Sequence, residues 1–92
     1  MENEQIRIAI VDDHPIFREG VVSILTEFPG VNILFQAANG LDMQKKLSPT
    51  NLPDVILMDI QMPVMDGYSA TTWVRKNYPQ IHILVLSVLN ED

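Results

Sequence analysis

The fold of this chain is predicted by the stretch Ile6-Arg7-Ile8-Ala9-Ile10-Val11-Asp12-Asp13 together with its counterpart Val55-Ile56-Leu57-Met58-Asp59. Each apolar run is short and rich in β-branched residues, which is typical of a buried parallel strand. If the two strands lie side by side, Asp12, Asp13 and Asp59 meet at one sheet edge, where open α/β sheets bind their ligands. Three carboxylates at that edge repel one another unless a cation holds them, so the sequence predicts a divalent-metal site.

Between these two stretches the sequence predicts helices and one more strand. A helix begins at Pro15, with Asp13 or His14 as its cap, and Pro29-Gly30 ends it. Its apolar residues recur at steps of three and four and form one face, made of Phe17, Val21, Ile24, Leu25 and Phe28. A second strand over Val31–Ala37 is followed by a short helix that Ser48-Pro49 ends.

After Asp59 the chain is expected to form a loop over 60–67, a helix over about 68–77 and a fourth apolar strand over 81–86. The resulting order βαβαβαβ requires a parallel sheet with right-handed crossovers. No linker or repeat divides the sequence, so residues 1–92 are expected to form a single α/β domain.

Composition excludes several classes of protein. The chain is 47% hydrophobic and 20% charged, which argues against disorder, and its net charge of −6 disfavours binding of nucleic acid or anionic membrane by this segment. It has no cysteine, so disulfides, thiol catalysis and cysteine metal sites are excluded. Because no signal peptide or membrane-length apolar run is evident, a cytoplasmic location is expected.

The acidic residues suit magnesium, which prefers hard oxygen ligands in a near-octahedral shell. We expect Asp13 and Asp59 to be direct ligands, Asp12 to act through bound water, and the backbone carbonyl of Gln61 to complete the set. The alternative for Asp12 or Asp13 alone is a helix cap, since aspartate is common at that position. The third carboxylate at a separate strand end favours the metal site.

Asp59 is also the candidate nucleophile. An ionised carboxylate oriented by a metal can attack phosphorus and form an aspartyl-phosphate, for which the protein needs mainly to position and neutralise charge. The hydroxyl of Ser87, at the end of the fourth strand, is a candidate hydrogen-bond donor, although an ordinary turn role explains it better when it is taken alone. Arg18, on the first helix near the acidic edge, could orient phosphate or pair with a carboxylate, and an exposed salt bridge is the preferred interpretation. His14 is expected to have a solvated or turn role.

Two segments resemble the receiver domain of bacterial two-component response regulators. The segment Val11-Asp12-Asp13-His14-Pro15 with Phe17-Arg18-Glu19-Gly20 is similar to members of the NarL/LuxR (FixJ-like) type, whose output is a helix-turn-helix DNA-binding domain. The segment Met58-Asp59-Ile60-Gln61-Met62-Pro63-Val64-Met65-Asp66-Gly67 resembles the family's phosphorylation loop. The resemblance covers residues 6–89 and implies a flavodoxin-like (CheY-like) three-layer fold with strand order 2-1-3-4.

The resemblance also implies roles for individual residues. Asp59 would be the phosphoacceptor, Asp12 and Asp13 the acidic pair that binds Mg²⁺ with the Gln61 carbonyl, and Ser87 the switch hydroxyl. The phosphoryl group would come from a sensor histidine kinase, and the receiver would control a C-terminal DNA-binding domain in the parent protein. Such a domain is not an enzyme in the ordinary sense, because it catalyses only its own phosphorylation and dephosphorylation.

The sequence departs from the family pattern in one respect. A complete receiver has a fifth strand with a lysine at its end and two further helices, and these are expected to be lacking here, so the chain is interpreted as truncated after its fourth strand. Its fourth strand would then be an apolar sheet edge, which recruits other chains, so a homodimer is a further expectation.

Two other functions are compatible with parts of the sequence. A truncated receiver could act only as a protein–protein interaction module. A magnesium-dependent phosphatase could also use Asp59 as nucleophile, but Ile60-Gln61 follow it, and the second aspartate two positions on, needed as general acid, is absent.

Overall fold

The computed structural model describes residues 5–60 and 65–86, and these form alternating strands and helices. The elements are β1 (Ile6–Val11), α1 (Pro15–Leu25), β2 (Val31–Ala37), α2 (Gly40–Lys46), β3 (Val55–Asp59), α3 (Gly67–Asn77) and β4 (His82–Leu86). The predicted βαβαβαβ order is therefore confirmed.

The four strands form one parallel sheet in the order β2-β1-β3-β4. The register places Val11 beside Met58, so that β1 and β3 end at the same level of the sheet. Helix α1 covers one face, while α2 and α3 cover the other. This is the predicted flavodoxin-like three-layer arrangement.

Side chains of β1 and β3 alternate between the two faces of the sheet, as the strand period requires. One core cluster joins alternate residues of both strands to α2 and α3, and contains Ala9, Val11, Ile56, Met58, Met43, Leu47, Ala70 and Val74. The opposite cluster consists of Ile8, Ile10 and Leu57, with Val21, Val22 and Leu25 of α1 packed against it. The two central strands are thus held from both sides, which fixes the position of the residues at their ends.

The predicted apolar face of α1 is only partly confirmed. Val21 and Leu25 pack on the sheet, but Ile24 is 63% exposed, and Phe28, 55% exposed, lies beyond the last helical residue. No residue of α1 is fully buried. On the same side of the sheet Leu84 of the edge strand β4 is 56% exposed, because α1 covers chiefly β1 and its neighbours. The expectation that β4 forms an apolar sheet edge is confirmed within the described residues.

A salt bridge closes the opposite edge of the sheet, where β1 and β3 begin. Asp54 accepts hydrogen bonds from the Arg7 backbone N–H at 2.8 Å and from Arg7 Nη2 at 3.3 Å. The backbone adds two bonds, from Asp54 N–H to Arg7 O at 2.7 Å and from His82 N–H to Asp54 O at 3.0 Å. The Arg7 backbone N–H, followed by its side chain, lowers the pKa of Asp54 below its usual 3.8.

We therefore expect the free energy of unfolding to depend less on pH in Asp54→Asn than in the wild type. A carboxylate with a lowered folded-state pKa stabilises the fold above its unfolded pKa, and this contribution disappears as the pH falls below about 4 towards the folded pKa. Because nearly half of the side chain is exposed, the effect should not exceed about 1 kcal/mol. Urea denaturation between about pH 5 and pH 3 measures it, with Glu19→Gln as a control of equal charge change. If the free energy of unfolding falls equally with pH in the wild type and in Asp54→Asn, ionised Asp54 does not stabilise the fold.

Candidate functional site

The carboxyl ends of β1 and β3 bring the predicted acidic residues together. Asp12 and Asp13 directly follow β1, and Asp59 is the last residue of β3. Each of these residues, together with His14, offers a ligand atom, and all four atoms lie within 4.8 Å of one another. The predicted convergence of the three aspartates is confirmed, because parallel strands in this register end side by side.

The carboxylates of this cluster lie largely away from water. Asp12 and Asp59 are buried, with 3% and 8% of their surface exposed, and the side chain of Asp13 is 25% exposed. The oxygen Oδ1 of Asp13 is itself buried and accepts no hydrogen bond within the described part of the chain. A buried carboxylate oxygen without a donor is costly unless a cation satisfies it, and hard oxygen ligands of this kind suit Mg²⁺. The donor set therefore fits a divalent cation.

The imidazole of His14 lies against these carboxylates. Its backbone N–H donates to Asp12 Oδ1 at 2.8 Å, and its ring Nδ1 lies 3.0 Å from Asp12 Oδ1, 3.0 Å from Asp13 Oδ1 and 3.8 Å from Asp59 Oδ2. The hydrogen bond to Asp12, followed by the charge of Asp13, raises the pKa of His14 above 6.5. The contact of Nδ1 with Asp13 Oδ1 has ion-pair distance but not hydrogen-bond geometry.

The expected solvated role of His14 is thus only half correct. The ring is 66% exposed, yet its Nδ1 edge faces the carboxylates. His14 also occupies the N-cap position of α1, and its side chain does not cap the helix. The sequence signal for this contact was the histidine directly after two aspartates at a helix start, where an extended backbone turns the side chain back.

Arg18 does not form the salt bridge expected from the sequence, and within residues 5–60 and 65–86 it has no carboxylate partner at ion-pair distance. Its Nη1 instead donates to the backbone carbonyl of Asp12 at 2.5 Å, and its Nε donates to Gln36 Oε1 at 3.1 Å. The Asp12 N–H donates to Ala37 O at 3.0 Å. The end of β1 is therefore joined to both β2 and α1.

Gly67, the first residue of α3, lies against the end of β3. The Gly67 N–H donates to Ile60 O at 2.8 Å, and a Cβ built on Gly67 would lie only 2.5 Å from the backbone oxygen of Asp59. Asp66 caps α3 by accepting from the Ser69 N–H at 2.8 Å. These contacts hold the start of α3 against the backbone of Asp59 and Ile60.

Two of the predicted site residues, Gln61 and Ser87, lie outside the described residues, so their roles stay predictions. Lys45 and Lys46 lie in the last turn of α2, and Lys76 lies in the last turn of α3. Crossover helices run antiparallel to the strands, so the backbone of these last turns lies towards the edge opposite Asp59. The side chain of Lys46 extends back along the sheet, and its Nζ donates to Gln36 O, next to the carboxyl end of β2, at 2.6 Å and to Asp42 Oδ2 at 3.2 Å.

Known proteins of similar sequence are response regulators. The model of the response regulator receiver domain matches residues 8–92. The transcriptional regulatory protein DegU of Brevibacillus brevis is 38% identical over 92 residues, which cover all of this chain and 39% of DegU. Response regulator GacA of Pseudomonas viridiflava is 36% identical over 87 residues, or 95% of this chain and 40% of GacA. The chain therefore spans about two-fifths of the length of these relatives.

Solved structures agree with the sequence matches. The receiver domain of the response regulator NarL from Mycobacterium tuberculosis superposes with a TM-score of 0.80 at 38% identity, over 96% of this chain and 70% of that one. RcsB of Salmonella typhimurium gives a TM-score of 0.85 at 26% identity, over 95% of this chain and 44% of that one. Because the family match begins in β1 and extends through every later strand and helix, we conclude that the chain belongs to the response regulator receiver domain family.

Proposed function

We propose that this chain is the phosphoacceptor domain of a two-component signalling protein, with Asp59 as the residue that receives the phosphoryl group. The observation that carries the proposal is the approach of three carboxylates to within 4.8 Å at the carboxyl edge of the sheet. The buried Oδ1 of Asp13, whose contact with His14 Nδ1 lacks hydrogen-bond geometry, supports a cation there. We assign Mg²⁺ binding to Asp12, Asp13, Asp59 and the backbone carbonyl of Gln61.

The chemistry assigned to Asp59 is a substitution at phosphorus. A carboxylate oxygen of Asp59 forms the new P–O bond, while the bond from phosphorus to the donor's leaving group breaks and its electron pair departs with that group. A bound Mg²⁺ would neutralise charge on the phosphoryl oxygens. Asp59 meets the need for a fixed nucleophile because it ends a buried strand, with Gly67 closing behind its backbone. Ser87 is assigned the hydroxyl that contacts the phosphoryl group.

The partners assigned to the parent protein follow from its relatives. DegU is a transcriptional regulatory protein, and RcsB has been solved bound to promoter rprA. We infer a sensor histidine kinase as the phosphoryl donor and a C-terminal helix-turn-helix domain as the output, in the cytoplasm. With a net charge of −6, this segment is not assigned direct contact with nucleic acid. No described helix combines the length and apolar character needed to cross a membrane.

The alternative function is a receiver that binds partners without being phosphorylated. One observation favours it: within residues 5–60 and 65–86 no lysine lies at the carboxyl end of a strand, since Lys45 and Lys46 belong to the last turn of α2 and Lys76 to that of α3. Exposed apolar side chains on β4, such as Leu84 and Val85, would then serve as a contact surface, also for a second copy of the chain.

Phosphorylation by a small donor distinguishes the two functions. We expect incubation with acetyl phosphate and Mg²⁺ to add the mass of one phosphoryl group to the intact chain, and chelation of the metal with EDTA to prevent it. Asp59→Asn should abolish the adduct, because an amide is a poor nucleophile toward phosphorus. Asp66→Asn is the matched control, since asparagine also caps helices and the adduct should persist. A wild-type chain that stays unmodified would favour the interaction module.

A further inference from the structure

We propose that Arg18 is a positioning residue for the cation site, which it serves by holding the peptide group between Asp12 and Asp13. The inference rests on the proposed binding of Mg²⁺ by these two residues. Arg18 itself contacts no carboxylate within the described part of the chain. It acts on the site through the backbone carbonyl of Asp12, to which its Nη1 donates at 2.5 Å.

That carbonyl belongs to the planar unit that links the two aspartates. A peptide group is rigid, so holding its oxygen restricts the last backbone torsion of Asp12 and the first of Asp13, and with them the directions of both side chains. The preceding peptide group is held as well, because the Asp12 N–H donates to Ala37 O at 3.0 Å. The turn that presents the acidic pair is thus tied down at two successive peptide groups.

The guanidinium is itself fixed by elements on both sides. Arg18 lies in the first turn of α1, where its N–H donates to His14 O at 2.9 Å, and its Nε donates to Gln36 Oε1 on β2 at 3.1 Å. Two donors of one rigid, planar guanidinium group therefore reach two acceptors at once. Lysine has a single ammonium group on a flexible chain and does not reproduce this planar arrangement.

A cation site gains from such support because its ligands repel one another. The carboxylates of Asp12, Asp13 and Asp59 lie within 4.8 Å, and without restraint their mutual repulsion would spread the turn at the end of β1. Metal sites depend on the groups that orient their ligands, and loss of such a group weakens metal binding by about 10- to 100-fold when it contacts the ligand side chain. Since Arg18 acts through the backbone, we expect a loss of about 3- to 10-fold.

The charge of Arg18, considered by itself, predicts the opposite change in Mg²⁺ affinity. A positive guanidinium close to the site repels a divalent cation, so its removal would tighten Mg²⁺ binding if Arg18 acted only through its charge. Two substitutions separate the explanations. Arg18→Lys keeps the positive charge but loses the planar pair of donors, whereas Arg18→Met loses both the charge and the donors. Positioning predicts weaker binding in both variants, and Gln36→Met, which removes one anchor of the guanidinium, should show a smaller loss of about 2- to 3-fold.

The test is isothermal titration of the 92-residue chain with MgCl₂, with urea denaturation of each variant in EDTA. Arg7→Met is the matched control, because it removes the salt bridge to Asp54 at the opposite sheet edge and should lower stability without changing the Mg²⁺ Kd. Weaker binding by Arg18→Lys and Gln36→Met, but not by Arg7→Met, supports the positioning role. If the wild type binds Mg²⁺ and the Kd of Arg18→Lys and Gln36→Met is unchanged or lower, the positioning role of Arg18 is overturned, while the proposed function stands. A wild type that binds no Mg²⁺ overturns the proposed function as well.

Discussion

Replacing Gly67 by alanine is expected to lower the free energy of unfolding by about 1 to 3 kcal/mol, the range for overpacked positions. The added Cβ would lie 2.5 Å from the Asp59 backbone oxygen and 2.7 Å from the Ile60 Cα. Both contacts are with backbone rather than with a flexible side chain, so the end of β3 must move to relieve them. Because Asp59 occupies that end, the substitution should also slow phosphorylation of the chain.

Helix propensity alone predicts the opposite result, since alanine is favoured over glycine in a helix by about 1 kcal/mol. Gly20→Ala provides the matched control, because Gly20 lies within α1 and a Cβ there has no neighbour within 4 Å. Urea denaturation should show Gly20→Ala as stable as or more stable than wild type and Gly67→Ala as less stable. Equal stability of wild type and Gly67→Ala would mean that α3 does not approach β3 as closely as the structure indicates.

Replacing Asp13 by asparagine is expected to change stability in opposite directions with and without magnesium. In EDTA the variant should be more stable than wild type by up to about 1 kcal/mol, because one of three mutually repelling carboxylates is removed. The contact of His14 with Asp13 at 3.0 Å offsets part of this gain. With Mg²⁺ present at a concentration 100 times its Kd, the wild type should gain about 2.7 kcal/mol and the variant far less.

Thermal or urea denaturation of both chains in EDTA and in excess MgCl₂ measures this reversal. Asp66→Asn carries the same change of charge outside the cluster, so it should respond to Mg²⁺ as the wild type does. If Asp13→Asn is stabilised by Mg²⁺ as strongly as the wild type, Asp13 is not a ligand. The proposed set would then have to be built without it.

The fold and the convergence of the carboxylates follow from local patterns. Short β-branched runs alternate with helix signals, and this order permits few topologies besides a parallel sheet with its crossovers. An aspartate placed directly after such a strand must lie at the carboxyl edge, whatever the details of packing. For that reason the sequence alone groups Asp12, Asp13 and Asp59, which lie together in the structure.

The assignments that failed concern side chains whose partners are distant along the chain or are backbone atoms. Arg18 was expected to meet a carboxylate, but it donates to the Asp12 carbonyl and to Gln36, eighteen positions away on another strand. The ring of His14 turns back to the carboxylates because of the backbone conformation at the start of α1.

Gly67 shows most clearly which requirements are visible in the local sequence and which arise from contacts between segments of the folded chain. The sequence places Gly67 at the end of the loop over 60–67, next to a helix start, where helix propensity alone would favour alanine. The need for glycine arises only when α3 folds back against the end of β3, which leaves no room for a Cβ beside the Asp59 carbonyl. The periodicity of one chain segment specifies its own conformation, but a steric contact between two segments exists only after both have taken their places in the fold.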